Sequence, residues 1–314
     1  MKELVVISGK GGTGKTSVVA ALATLAGRCV LADCDVDAAD LHLIFEPKVI
    51  HREDFTGGSK ARIKPGHCTA CGKCEELCRF GAIYFNGPGN GRVSQTFRVE
   101  TTACEGCGVC VDFCAENAIE FAPAVCGQWF ISETRCGPMV HAKLGIAAEN
   151  SGKLVTQVRR TAGQIAQDQG LELVLCDGSP GIGCPVIASL TGASLALFVV
   201  EPTVSGVHDF YRVAQLAARL DVPGLLAVNK ADLNEEVADQ LEATAVKHGI
   251  VMAGRIPYDR AVTQAQIARR SVVEVSDGPA ATAIRSVWNI VNAQLQKSSA
   301  TTISGLVQLI PITS

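Results

Sequence analysis

Apolar residues along the chain fall into short β-rich runs separated by longer amphipathic stretches. Leu4-Val5-Val6-Ile7 reads as a strand, and "TSVVAALATLAG" (16–27) reads as a helix stopped by Gly27. Cys29 to Ala32 is a second buried run. Leu173 to Cys176, "SLALFVVEP" (194–202) and "GLLAVN" (224–229) are three more. Between them lie "SGVHDFYRVAQLAARL" (205–220), "NEEVADQLEATAVKHG" (234–249), with an acidic first turn, and "GPAATAIRSVWNIVNAQLQK" (278–297), all helical in pattern. Such alternation predicts an α/β fold: a mostly parallel sheet with helices on both faces.

The length of 314 residues suggests roughly two domains. No apolar run reaches about 18 residues, so no membrane span is expected. "MKELVVISGKGG" runs straight into a glycine loop without a cleavage site and reads as a mature first strand. Net charge is −3 with no long basic run, which argues against nucleic acid as a partner. Cysteine changes the picture. Fourteen of them, in a chain that is neither short nor signal-bearing, point to metal binding in a cytoplasmic protein, not to a secreted disulfide scaffold.

Gly9-Lys10-Gly11-Gly12-Thr13-Gly14-Lys15-Thr16, between the first strand and first helix, fits G-x-x-x-x-G-K-[ST]. Its glycines let backbone N–H groups turn inward around phosphate oxygens, and the helix N-terminus adds partial positive charge. Gly9, Gly11, Gly12, Thr13, Gly14, Lys15, Thr16 and Ser17 are the expected nucleotide contacts. Lys15 should reach the β/γ-phosphates and Thr16 should ligate Mg²⁺. One lysine satisfies such a loop; from spacing alone Lys10 is equally a solvated side chain. The second strand ends in Asp33, Asp35 and Asp37, carboxylates at the edge where α/β sheets bind ligands. An ordinary polar loop is the alternative, strongest for Asp37. "NKAD" (229–232) fits N-K-x-D, which alone suggests guanine recognition through Asp232.

"SGKGGTGKTS" resembles the deviant Walker A motif of the MinD/ParA/Mrp group of P-loop ATPases, which includes the nitrogenase iron protein. "DGSPGIGCP" (177–185) is close to the Mrp-type switch II, and "GRIPYDRAV" (254–262) resembles the group's second base-side loop. The resemblance implies ATP and Mg²⁺ as ligands and an ATP-dependent homodimer. Lys10 would contact the phosphates bound by the other subunit. Asp35 would orient the attacking water, Asp33 would lie near Mg²⁺, and Asp177 would hold the Mg²⁺ shell. The Gly181 N–H would sense the γ-phosphate. Asn229 would contact adenine with Pro257 nearby.

Two cysteine-rich segments align at a constant offset of 36 residues: "CTACGKCEELCRFGAIYF" from Cys68 and "CEGCGVCVDFCAENAIEF" from Cys104. Both read C-x₂-C-x₂-C-x₃-C, an internal repeat. Three cysteines at this spacing wrap one face of a cubane, and the fourth points to the other cluster. Cys68, Cys71, Cys74 and Cys114 should therefore hold one 4Fe–4S cluster, and Cys78, Cys104, Cys107 and Cys110 the second. Paired zinc sites are the weaker alternative. The segment resembles a bacterial two-cluster ferredoxin, departing from it where Arg79 and Ala115 replace the usual proline. Of the remaining cysteines, Cys29 and Cys176 read as core, Cys34 and Cys184 fall in switch regions, and Cys126 and Cys136 are either structural or an extra metal site.

With Gly57-Gly58-Ser59 and Pro123 as joints, the sequence divides into an ATPase domain (1–59 and 123–297), an inserted ferredoxin domain (60–122) and a tail (298–314), disordered or vector-derived. The insert has seven basic and seven acidic residues, so it offers a partner no strong electrostatic bait. Lys143, Asn150, Ser151 and Lys153 form either a polar site or a solvated helix start. "ENSGKLV" (149–155) resembles MinD-superfamily ATPases with an inserted ferredoxin domain, a match running from residue 2 to about 297.

The leading expectation is an ATP-gated electron-transfer protein serving a redox partner. An Mrp-type metallocluster carrier is the alternative, although its C-terminal C-x-x-C is lacking. A MinD-like organiser would need a basic C-terminal helix, and no Lys or Arg follows Lys297. The N-K-x-D pattern keeps a GTPase open. The label cobyrinic acid synthase fits poorly without a glutaminase segment.

Overall fold

The computed structural model describes residues 1–145 and 151–305, with side chains given outside 298–305. Strands are β1 (Lys2–Ile7), β2 (Val30–Asp33), β3 (Lys48–Ile63), β4 (Ile83–Gly87), β5 (Thr96–Val99), β6 (Ile119–Thr134), β7 (Gly137–Leu144), β8 (Leu173–Asp177), β9 (Leu195–Val200), β10 (Gly224–Asn229) and β11 (Val251–Ile256). Helices are α1 (Lys15–Ala26), α2 (Leu41–Phe45), α3 (Lys73–Leu77), α4 (Val109–Asp112), α5 (Ser151–Asp168), α6 (Cys184–Leu190), α7 (Val204–Arg219), α8 (Glu235–Lys247), α9 (Arg260–Ile267), α10 (Val272–Val275) and α11 (Pro279–Gly305). Among the described residues no helix is long and apolar enough to cross a membrane.

The chain forms two compact units. One comprises Met1–Arg52, Phe130–Ala142 and Val155 onward; the other comprises Glu53–Trp129 and Lys143–Leu154. In the first, β11-β10-β9-β1-β8-β2 lie side by side, all parallel, and β7 runs parallel to β2 beyond them. Strands β2, β9 and most of β1, β8 and β10 are buried apolar runs because both faces are covered. Leu4, Leu31, Leu175, Leu197 and Leu225 of the sheet are buried with Leu22 of α1 and Val287 and Val291 of α11 in one core. The register sets Asp33 of β2 beside Asp177 of β8, so two carboxylates end neighbouring strands at the same edge.

The second unit carries the sequence repeat into its backbone. Helices α3 and α4 occupy equivalent places, each after a glycine (Gly72, Gly108). Gly81 (φ 59°) and Asn117 (φ 50°) both turn left-handed, as their residue types favour. Ala82 with Ile83 and Ala118 with Ile119 meet in a small core around Phe97.

Two expectations need correction. Gly57-Gly58-Ser59 and Pro123 are not joints but lie within the long strands β3 and β6, and the units change over at 52/53, 129/130, 142/143 and 154/155. Close backbone approach accounts for the glycine opposite, at 106: a Cβ on Gly106 would collide with the Ser59 carbonyl oxygen. The final helix does not stop at Lys297 but runs to Gly305, into the stretch read as a tail; residues 306–314 lie outside the described residues. Asn150 lies outside them too, while Ser151 and Lys153 open α5 and Lys143 ends β7.

Candidate functional site

The loop from Ser8 to Gly14 joins β1 to α1 at the carboxyl edge of the parallel strands. Gly14, with φ 84°, turns the chain into the first helical residue, Lys15, a conformation costly to any residue with a Cβ. The loop lines a cleft of about 430 Å³, shared with Asp35, Asn229, Pro257 and Tyr258.

Lys15 is almost completely buried. Its ammonium contacts Asp177 and lies 3.5 Å from Asp35 Oδ2. Burial opposes its charge, but the Asp177, Asp35 and Asp33 carboxylates outweigh it and hold its pKa above the ordinary lysine value. The Thr16 hydroxyl donates to Asp177 Oδ2 at 2.7 Å. Asp33 is fully buried and shapes the loop after β2, accepting the N–H groups of Asp35 (3.2 Å) and Leu41 (3.3 Å). Burial, then Asp177, pushes the Asp33 carboxyl well above the usual range. Burial also raises that of Asp35, against the pull of Lys15. Asp37 is exposed. When ionised, three buried carboxylates face one buried ammonium. That oxygen-rich, negatively charged set fits a hard divalent cation such as Mg²⁺. The buried Thr13 Oγ1, without a hydrogen-bond partner among the described residues, and the open space beside Gly11 and Gly12 suit a polar ligand in the loop.

Three residues expected at the nucleotide are engaged otherwise. The Gly181 N–H donates to the Ser8 carbonyl at 3.0 Å, so its hydrogen is committed to the end of β1. Asn229 Nδ2 donates to the Thr13 carbonyl at 2.7 Å, tying β10 to the phosphate loop while lining the cleft. Lys10 does not line the cleft. It binds Thr203 Oγ1 and Ser205 Oγ, each at 3.2 Å, and lies 3.8 Å from Glu201 Oε2. Glu201 also holds Lys230. Sequence reasoning missed Glu201, although it directly follows β9 at the same edge as Asp33 and Asp177 and so carried the signal used for them. It also missed Gln266, which donates to Ser17 Oγ at 2.8 Å.

In the second unit the cysteines sort across the repeats. One cavity is rimmed by Cys68, Cys71 and Cys74 with Cys114, the other by Cys104, Cys107 and Cys110 with Cys78. The N–H groups of Ala82 and Ala118 donate to the sulfurs of Cys78 (3.4 Å) and Cys114 (3.3 Å). Burial, with Cys68 and Cys71 adding to it, pushes the Cys74 thiol up to about 11. Burial, then Cys104, Cys107 and Cys78, raises that of Cys110. Among the described residues, no three His, Cys, Asp or Glu side chains are grouped to hold a single metal ion. Cys126 donates to the Ala124 carbonyl, Cys136 lies by Cys29, and Cys176 donates to Glu3 Oε1 at 3.1 Å, so none of these shows a ligand-like grouping.

A family model described as the CobQ/CobB/MinD/ParA nucleotide binding domain matches residues 4–272. The chain belongs to this family. An uncharacterized protein of Methanocaldococcus jannaschii is 35% identical over 242 residues, 74% of this chain and 79% of its own length. A second from that organism is 23% identical over 285 residues, 88% of this chain and 94% of its own. Among solved structures, the Aquifex aeolicus MinC:MinD cell division protein complex is similar with TM-score 0.55, 17% identity, and coverage of 100% of this chain and 99% of that one. The Pyrococcus horikoshii septum site-determining protein MinD, complexed with Mg-ADP, gives TM-score 0.54, 17% identity, and coverage of 95% and 98%. At that identity these show the fold alone, and it is of the MinD type. The phosphate loop and its three carboxylates thus lie in the matched region of a CobQ/CobB/MinD/ParA nucleotide-binding domain.

Proposed function

We propose that the protein binds and hydrolyses ATP in this cleft and carries two 4Fe–4S clusters in its second unit, through which it passes electrons to a redox partner. One observation carries the cluster half: each cavity is rimmed by three cysteines of one repeat and the fourth of the other. That crossing is what C-x₂-C-x₂-C-x₃-C spacing serves in two-cluster proteins. Bound there, the clusters would supply one-electron redox chemistry. The N–H groups of Ala82 and Ala118 would hydrogen-bond ligand sulfurs, a contact that tunes potential. The raised thiols of Cys74 and Cys110 must lose protons to ligate, so loading releases acid.

In the cleft, Thr16 and Asp177, with Asp33 behind them, would hold Mg²⁺. Lys15 would neutralise phosphate charge. Asp35, its carboxyl raised toward neutrality by burial, would orient and partly deprotonate the attacking water. Lys10 would exchange its Glu201, Thr203 and Ser205 contacts for the phosphates of a second copy, making a homodimer the competent form.

Anaerobic purification, iron and sulfide analysis, and EPR with and without Mg-ATP test this reading. It expects about eight irons per chain and a nucleotide-sensitive signal. An iron-free protein, or spectra indifferent to nucleotide, would overturn the coupled function.

A further inference from the structure

Asp232 completes an N-K-x-D sequence, yet one oxygen of its carboxylate is engaged away from the cleft. Asp232 Oδ1 accepts the backbone N–H of Tyr258 at 2.6 Å. Tyr258 and Pro257 line the cleft, as do Asn229 and Lys230 from the segment that contains Asp232; Asp232 itself does not line it. The bond therefore ties the loop after β10 to the loop after β11, the two segments that bring Lys230, Pro257 and Tyr258 to the cleft.

The chemistry of the two purines makes this placement decisive. Guanine presents N1–H and a 2-amino group, both donors, and a protein reads them with an acceptor aimed at the base. Adenine lacks both and presents a 6-amino donor instead. Asn229 does not separate the two. Its Nδ2 spends one hydrogen on the Thr13 carbonyl, and the other suits N7, which both purines carry. A guanine-reading acceptor would have to come from residue 232, which does not line the cleft and whose Oδ1 accepts a backbone N–H.

The geometry points to Asp232 as a positioning residue: it fixes the Pro257–Tyr258 wall of an adenine-accepting cleft and does not read a guanine. This rests on the cleft being a nucleotide site, as proposed above. A charged acceptor on a backbone N–H makes a strong bond, so its loss should loosen the wall. Asparagine keeps a carbonyl acceptor and should preserve it.

Calorimetric titration of the full-length wild type, Asp232→Asn and Asp232→Ala with ADP, GDP and xanthosine diphosphate, all with Mg²⁺, tests the assignment. The wild type should prefer ADP over GDP by at least about tenfold. Asp232→Asn should bind ADP within about twofold of wild type and gain nothing for xanthosine diphosphate, while Asp232→Ala should weaken ADP about tenfold. If Asp232→Ala does not fold, the Asp232→Asn comparison decides. Preference for GDP in the wild type, or a tenfold gain for xanthosine diphosphate in Asp232→Asn, overturns the inference and leaves the phosphate-loop reading standing. A wild type that binds none of the three sinks both.

Discussion

The hydroxyl of Thr16 donates to Asp177 Oδ2 at 2.7 Å, and the same carboxylate touches the buried ammonium of Lys15 through its other oxygen. Asp177 is thus the fixed point of the phosphate end. Replacing it with alanine strands Lys15 among groups that no longer compensate it. Losing one partner of a buried pair typically costs about 3 kcal/mol. Urea unfolding of Asp177→Ala without metal should show a loss of that order, and Mg²⁺-dependent ADP binding should vanish. Wild-type stability together with wild-type Mg²⁺ dependence would remove Asp177 from the site.

Asp35 should separate binding from hydrolysis. Asp35→Asn keeps the shape and removes the base, so steady-state ATPase activity should fall by about 100-fold or more. Affinity for a non-hydrolysable ATP analogue should stay within a few-fold of wild type. An unchanged turnover number would move the general base elsewhere.

The crossing of the cysteine repeats makes a pattern that counting alone would miss. Cys71 and Cys114 rim one cavity; Cys71 and Cys78 rim different ones. The double variant Cys71→Ser/Cys114→Ser should keep about four irons per chain, and Cys71→Ser/Cys78→Ser almost none. Equal iron content in the two would refute the crossed assignment.

Lys10 is held by three groups of its own chain, none of which lines the cleft. Lys10→Ala should therefore bind nucleotide with near-wild-type affinity yet remain monomeric in light scattering with a non-hydrolysable ATP analogue. A variant that dimerises as the wild type does would leave Lys10 as a surface residue tethered to Glu201.

His141 supplies a pH dependence unrelated to the cleft. It stacks on Phe130 with ring centroids 5.0 Å apart and bonds Ser132 at 2.9 Å. Burial, then His42, lowers its pKa to about 4. A histidine whose pKa falls on folding contributes stability above its unfolded value and loses it as pH drops toward the folded one. The loss should amount to about 2 kcal/mol between about pH 7 and about pH 5. Urea midpoints of wild type and His141→Gln at the two pH values check it. A wild type that loses no more stability than the variant would show that His141 is protonated in the fold.

Much of this was legible along the chain. β1, β8, β9 and β10 and their covering helices follow from buried apolar runs alternating with amphipathic ones. The phosphate loop and the cysteine repeat were legible because their chemistry depends on local spacing. The strands β3 and β6 were not, since their mixed, half-exposed residues carry no clean period; β7 was not because its apolar run is short and interrupted by His141 and Lys143. Gly57-Gly58, which reads as a break, lies within the extended strand β3.

By itself the sequence determined which short-range units this protein has: a glycine loop that leads into a helix, carboxylates at strand ends, and two copies of one cysteine spacing. Each is fixed by residues within about twenty positions, where backbone geometry leaves few choices. Tertiary structure decided who faces whom. The pairing of Asp33 with Asp177, the tether of Lys10 to Glu201 and the bond from Tyr258 to Asp232 join residues 26 to 191 positions apart. Such contacts depend on sheet register and packing, which no local pattern encodes.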